Sequence, residues 1–223
     1  MILFPCGTIN SSDSTGTLNH VTYRMFEPNE NSSSKKVFYN LLSSYETQIL
    51  STRQKAEPSL SIIYTYKDIF NKEFQQIKHF VSHRSAELNS FYTTDWENGF
   101  TPSTVASVAG DWQIVGDSTL DYSATSNMKS NYIMLWDGNK FRVGDVTVIN
   151  SATRLTMNPS YGNLSLSDAQ SDANAYPIYE VRFSENPLKN FEPSVFIGGT
   201  LSNTEFAGYM HSGTVSFISK YKV

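Results

Sequence analysis

Between residues 60 and 96 the hydrophobic period of this chain changes twice, and that constrains the fold more than any other feature of the sequence. Leu60, Ile62, Tyr64 and Tyr66 alternate with Ser61, Ile63 and Thr65, the period of a strand with one face better buried than the other. Phe70, Phe74, Ile77, Val81 and Leu88 then recur at helical spacing and fall in one narrow stripe at about 100° per residue. Asp68 or Asn71 is placed to cap the start, where a short side-chain oxygen accepts from an orphan N–H. Asn89-Ser90 ends the helical pattern, and Phe91-Tyr92 resumes an extended aromatic run. The expectation is strand, one long amphipathic helix over about residues 68–88, and strand, with the apolar stripe covering a sheet. The opposite face, with Lys72, Gln75, Gln76, Lys78, His79 and Ser82, is expected to meet solvent or a partner.

Elsewhere the pattern is that of a β protein. Residues 7–36 are rich in Gly, Ser, Thr and Asn, with 21–26 as their one plausible strand, and read as a loop-rich arm that orders against something else. Residues 37–50 alternate between helix and strand readings, and 51–59 form a polar connector. After Trp96, short strands follow at 112–115, 132–136, 141–143, 146–149, 154–157, 176–183, 194–197 and 214–223. Asp137-Gly138 between two apolar runs is the strongest hairpin signal. The expected organisation is a flexible arm (1–36), a strand–helix–strand unit (37–100) and an all-β unit (101–223). The fold class is mainly β (α+β): antiparallel sandwich or barrel-like sheets with one covering helix.

Composition narrows the function classes. The chain has 13 Tyr and 14 Phe among 223 residues, a surplus that favours strands and interfaces. A net charge of −4 with no basic cluster leaves no electrostatic footprint for nucleic acid. A single cysteine, Cys6, excludes an internal disulfide framework and a cysteine-based zinc site. The first residues carry no basic run and too few apolar ones for a signal peptide or membrane segment, so a soluble cytosolic product is expected.

No constellation of catalytic residues stands out. His79 and His83 have the spacing of two metal ligands on one helix face. Phe80 stands where a zinc protease needs its glutamate, and both histidines lie opposite the apolar stripe, so exposed or interface histidines are expected. Asp95 and Glu97 flank Trp96, with Asp111-Trp112 further on, which is the make-up of a glycosidase pair beside a sugar-stacking ring. The same residues also suit a strand end running into a turn. Asp117, Asp121, Asp137, Asp168 and Asp172 are scattered rather than at calcium-loop spacing. Gly198-Gly199 reads as a turn, and Cys6 has no activating neighbour. No catalytic residue, cofactor or metal ligand is assigned. Tyr23, Phe26, Tyr39, Tyr45, Tyr92, Trp96, Phe100, Tyr122, Tyr132 and Trp136 either pack the sheets or anchor subunit interfaces.

The order of parts resembles that of tailed-bacteriophage tail and tail-tip proteins over about residues 37–185. The parts are the strand Leu60-Ser-Ile-Ile-Tyr-Thr-Tyr66, the helix segment Phe74-Gln-Gln-Ile-Lys-His-Phe-Val81, and the aromatic strand Phe91-Tyr-Thr-Thr-Asp-Trp96. A hairpin-rich portion at 132–157 and the strand near Tyr176-Pro-Ile-Tyr179 follow. The helix lacks the glycine that commonly follows it in such proteins, carrying Arg84-Ser85-Ala86, and Thr94 stands where a proline commonly precedes Asp-Trp. The resemblance is to distal-tail, tail-adaptor and minor tail proteins. It implies a non-enzymatic homo-oligomeric ring, collar or neck subunit that joins other tail or neck proteins, in the virion and in the host cytoplasm during assembly. The alternatives are a carbohydrate- or receptor-binding module using Trp96, Trp112 or Trp136 as a platform, and a polysaccharide hydrolase.

Overall fold

A computed structural model describes residues 1–37, 59–84, 89–116, 132–197 and 208–219. In chain order its strands begin with β1 (Ile2–Leu3), β2 (Gly7–Ile9), β3 (Thr15–Leu18), β4 (Val21–Arg24), β5 (Asn31–Val37) and β6 (Ser59–Ile69). Helix α1 (Asn71–His83) precedes β7 (Phe91–Thr94), β8 (Thr104–Val108), β9 (Asp111–Val115), β10 (Tyr132–Trp136), β11 (Phe141–Ser151) and β12 (Arg154–Gly162). Helix α2 (Leu166–Ser171), β13 (Asn174–Phe183), a 3-10 turn (Pro187–Asn190), β14 (Glu192–Ile197) and β15 (Gly208–Ser219) complete the described chain. The protein is mainly β with one long helix covering a sheet, the expected class.

One strand joins the two halves. Residues Asn174–Ile178 of β13 pair with β10, and Val181–Phe183 pair with β15 on the same edge. Its other edge takes β7 through Ile178–Val181. From β10 the sheet runs through β11, β12, β9 and β8, and from β7 through β1, β2, β3 and β4. A branch carries β15, β6 and β5, with β14 on the edge of β15 that β13 also takes, β6 being on the other. Pairing is antiparallel except between β1 and β7. The sequence-based division at residue 100 is not a break in hydrogen bonding, because β7 and β13 from its two sides are neighbours.

The α1 stripe lies on the branch. Ile77, Phe80 and Val81 are buried in one cluster with Leu60, Ile62, Tyr64 and Tyr66 of β6, Phe91 of β7, and Val215 and Phe217 of β15. Phe70 and Phe74 are only partly buried, and Leu88 lies outside the described residues. Neither Asp68 nor Asn71 caps the helix: the N-cap is Phe70, whose N–H donates to Glu73 Oε2 at 3.0 Å. Asp68 instead takes a left-handed backbone (φ 51°) near the end of β6, and Asn71 Oδ1 accepts from Gln75 Nε2.

The N-terminal residues are part of the fold rather than an arm. Residues 7–36 form β2–β5, and Leu3, Phe4, Cys6, Ile9, Leu18 and Met25 are all buried. Their polar sequence hides this, because the segment contributes mostly backbone. At Gly16 an added Cβ would stand 2.8 Å from Cys6 Cβ, so the connection between β1 and β2 approaches β3 too closely for a side chain there. The consequence reaches α1. Gln76, expected on an outward face, is buried and donates to Arg24 O at 2.8 Å and Pro5 O at 3.3 Å. Only the Gln76 and His79 side of that face meets the chain's own N-terminal residues; Lys72, Gln75, Lys78 and Ser82 are exposed as expected.

Beyond β13, Phe100, Trp112, Ile114, Ile133, Leu135, Leu155 and Met157 form a second cluster closed by Ala169 of α2. That short helix was not expected from sequence; Ser165 caps it, its Oγ accepting from Asp168 N–H at 3.1 Å. The runs expected at 141–143 and 146–149 are one bulged strand, β11. The Asp137 hairpin forms as expected, with Trp136 opposite Phe141 and Asp137 Oδ1 accepting from Asn139 N–H (2.8 Å) and Lys140 N–H (2.6 Å).

Candidate functional site

The Asp95 loop is held from three sides. Asp95 N–H donates to Pro177 O of β13 at 2.8 Å, extending the β7 pairing. Its carboxylate is fully buried and accepts from Asn98 N–H (3.3 Å) and Asn98 Nδ2 (2.8 Å), closing a turn over residues 95–98. Asn98 Nδ2 also donates to Ser34 Oγ at 2.6 Å, and the Ser34 N–H donates to Glu97 Oε2, which anchors β5. Beneath them the Tyr64 hydroxyl bonds Thr93 Oγ1 at 2.8 Å and donates to Thr94 O. Burial pushes the Asp95 carboxyl up, and the Asn98 bonds oppose that.

This geometry commits the Asp95 and Glu97 side chains to turn and strand anchoring. Asp111 is not brought to them: β13, β10, β11 and β12 lie between β7 and β9 in the sheet. A glycosidase pair needs two carboxyls facing a shared space about 5–9.5 Å wide, and here each faces its own backbone or amide partner. Trp96 is half-buried and packs edge-on against Tyr176 (4.8 Å) and Trp136 (6.2 Å). Trp136 and Trp112 are buried, and the Arg142 guanidinium stands 5.5 Å over the Trp112 ring. Of the three indoles, only Trp96 keeps substantial exposure.

Most of the remaining sequence candidates are engaged in local packing or hydrogen bonding where they are described. His79 Nδ1 lies 2.6 Å from the Tyr23 hydroxyl, tying α1 to β4, while His83 is exposed. Cys6 is buried 3.8 Å from Met25 Sδ, and burial pushes its thiol far up, away from the reactive thiolate. Asp168 sits in the first turn of α2 near Lys140 Nζ (3.4 Å), and Asp172 ends that helix. Among the described residues no three His, Cys, Asp or Glu side chains form a group suited to a metal. Phe26 packs on Tyr66 (5.9 Å) and Tyr92 on Tyr132 (5.2 Å), and Phe100 is in the second core. Asp117, Asp121, Tyr39, Tyr45, Tyr122 and Gly198-Gly199 lie outside the described residues.

Sequence reasoning missed the most exposed apolar feature. Every described side chain of β14 is exposed, and Gly208–Met210 of β15 have β14 as their one strand partner among the described residues. Phe196 (61% exposed) and Tyr209 (55%) face each other across this two-stranded ribbon at 5.0 Å, beside Val195 (46%). Pro193 is the signal that was available, since a proline inside a strand places it at an edge. The sequence matches no protein-family profile, and no curated protein is similar to it.

Proposed function

We propose that the protein is a structural subunit of a phage tail or neck that acts by oligomeric assembly, with the β14–β15 ribbon as its principal docking element. The ribbon carries this reading. Large exposed apolar side chains grouped on an unpaired edge mark association surfaces. Proteins that keep an edge solvated protect it with charge or proline; in β14 Glu192 and Pro193 stand only at the root, and Ser-Val-Phe-Ile follows. β5, by contrast, is an edge of polar and basic residues, Asn-Ser-Ser-Ser-Lys-Lys-Val. The tail-protein pattern of residues 60–96 supplies the setting. The mechanism is geometric: a rigid sheet sets subunit shape, and strand addition or aromatic docking at the ribbon joins neighbours. The turn-forming commitment of Asp95 and Glu97 supports a non-enzymatic role.

The test is size. Sedimentation velocity and negative-stain microscopy should find concentration-dependent symmetric oligomers, reduced to monomer by Phe196→Ser with Tyr209→Ser while the circular dichroism spectrum stays unchanged. A wild-type protein that remains monomeric up to its solubility limit would overturn the proposal. Its presence in purified virion tails tests the setting separately.

A further inference from the structure

The ribbon leaves the body of the protein at His211. On one side His211 pairs with Ile69, the end of β6, and on the other with Pro193 of β14. Both ladders are irregular there: the β14 register shifts between Pro193 and Phe196, and the β6 register shifts between His211 and Gly213. Pro193 has no N–H to give. Backbone pairing is therefore weakest where the ribbon begins, and side-chain packing has to hold the junction. Ser212 Oγ, which accepts from the Asp68 N–H at 2.9 Å, ties β15 to β6 there, and the packing beside it centres on one stack. The His211 imidazole lies flat on the Phe74 ring of α1, with centroids 3.9 Å apart and planes 14° from parallel. Phe191, just before β14, backs Phe74 at 5.3 Å.

We propose that His211 is an acid-sensitive pin: its neutral ring locks the β14–β15 ribbon to α1, and protonation frees the ribbon to swing as a unit. The reason lies in the surroundings of the ring. Its Nδ1 is enclosed without a hydrogen-bond partner, which a neutral ring tolerates as an idle acceptor. On protonation that atom becomes a charged donor facing no acceptor, a far costlier state that attraction to the Phe74 face offsets only in part. Among the described residues no carboxylate is in hydrogen-bond or ion-pair contact with the ring, and burial is the one cause of its shift. On β6, Asp68 Oδ1 is engaged by Ser212 Oγ (3.3 Å), and Lys67 is cationic. On α1, Glu73 accepts from the Phe70 N–H, and Lys72 adds positive charge. The 3-10 turn brings Lys189, and Glu192 on β14 is exposed to water.

Burial also holds the His211 imidazole below its ordinary value of 6.5, which is the direction the pin requires. With the neutral form favoured in the closed state, the stack contributes fully above that value and weakens as pH falls below it. If protonation is confined to the open state, opening rises by about five- to sixfold between about pH 6.5 and pH 5.5. This holds for the free chain, whether or not the ribbon docks on a second copy.

Hydrogen exchange with mass spectrometry on the full chain tests it, comparing ribbon peptides with core peptides from β6 and β13 across that pH range after correction for intrinsic exchange. Ribbon protection should fall with acid while core protection holds. His211→Phe, which keeps the stack without a titrating group, should abolish the ribbon's pH dependence, and His211→Ala should leave the ribbon open at every pH. A His79→Gln control should behave as wild type. Ribbon protection that is flat with pH in the wild type, or pH dependence that survives in His211→Phe, overturns the proposal.

Discussion

Phe80 and Phe196 are the same side chain in opposite situations. Phe80 has no exposed surface and meets Phe4, Phe91 and Phe183 at ring distances of 5.1, 5.1 and 6.3 Å. Phe196 is 61% exposed, and its ring contact is Tyr209. The first lies where α1, the N-terminus and strands of the branch enclose one aromatic cluster. The second lies on a ribbon two strands wide, an arrangement that is marginal on its own in water. Burial concentrates stability around Phe4 and Phe80, and the exposed ribbon contributes little to it.

The strongest way to break that contrast is to empty the core. Phe80→Ala should destabilise by about 3–5 kcal/mol, read from the midpoint of urea unfolding. Phe4→Ala should match it, because Phe4 touches Tyr64, Phe80, Phe91, Phe183 and Phe217. A mild effect at Phe4 would mean that the N-terminal strands are a detachable layer. Phe74, half-buried between core and ribbon, sits between the extremes. Its change to Ala should cost about 1–2 kcal/mol and should also loosen the ribbon amides. A loss equal to that of Phe80 would show that the ribbon and core unfold together.

Charge sharpens the comparison at the Asp95 turn. Burial raises this carboxyl above its ordinary 3.8, so the fold favours the protonated form. The associated stability is present below the ordinary value and is lost as pH rises through the raised one. Asp95→Asn lacks that loss, so the variant should gain on wild type between about pH 3 and pH 7 in paired urea titrations. A stability difference that stays constant across that range would contradict the buried charge. The smallest expected effect is at the ribbon itself. Phe196→Ser with Tyr209→Ser should change monomer stability by no more than about 0.5 kcal/mol per site while abolishing association. A large drop in unfolding midpoint would place these rings inside the cooperative fold.

Local chemistry made a good part of this architecture legible. The alternation through Leu60, Ile62, Tyr64 and Tyr66 and the stripe through Ile77 and Val81 depend only on backbone period, and both are buried as read. Asp137-Gly138 specifies its own turn through Asp137 Oδ1 and a glycine at φ +95°. The fate of a polar segment is a different matter. Residues 7–36 look solvated because their side chains are small and polar, yet their backbones pair and Ile9, Leu18 and Met25 reach the core. Asp95 and Asn98 read equally well as catalytic or as turn-forming until Pro177 and Ser34 are seen around them. His79 and Gln76 read as outward-facing until β4 closes over them. Backbone period follows from local order alone, and so do the residues that share a face. Which faces are covered depends on contacts between residues far apart in the chain, which no local period encodes: β4 covers Gln76 and His79 on α1 while Lys72, Gln75, Lys78 and Ser82 stay exposed, and no described element covers Phe196.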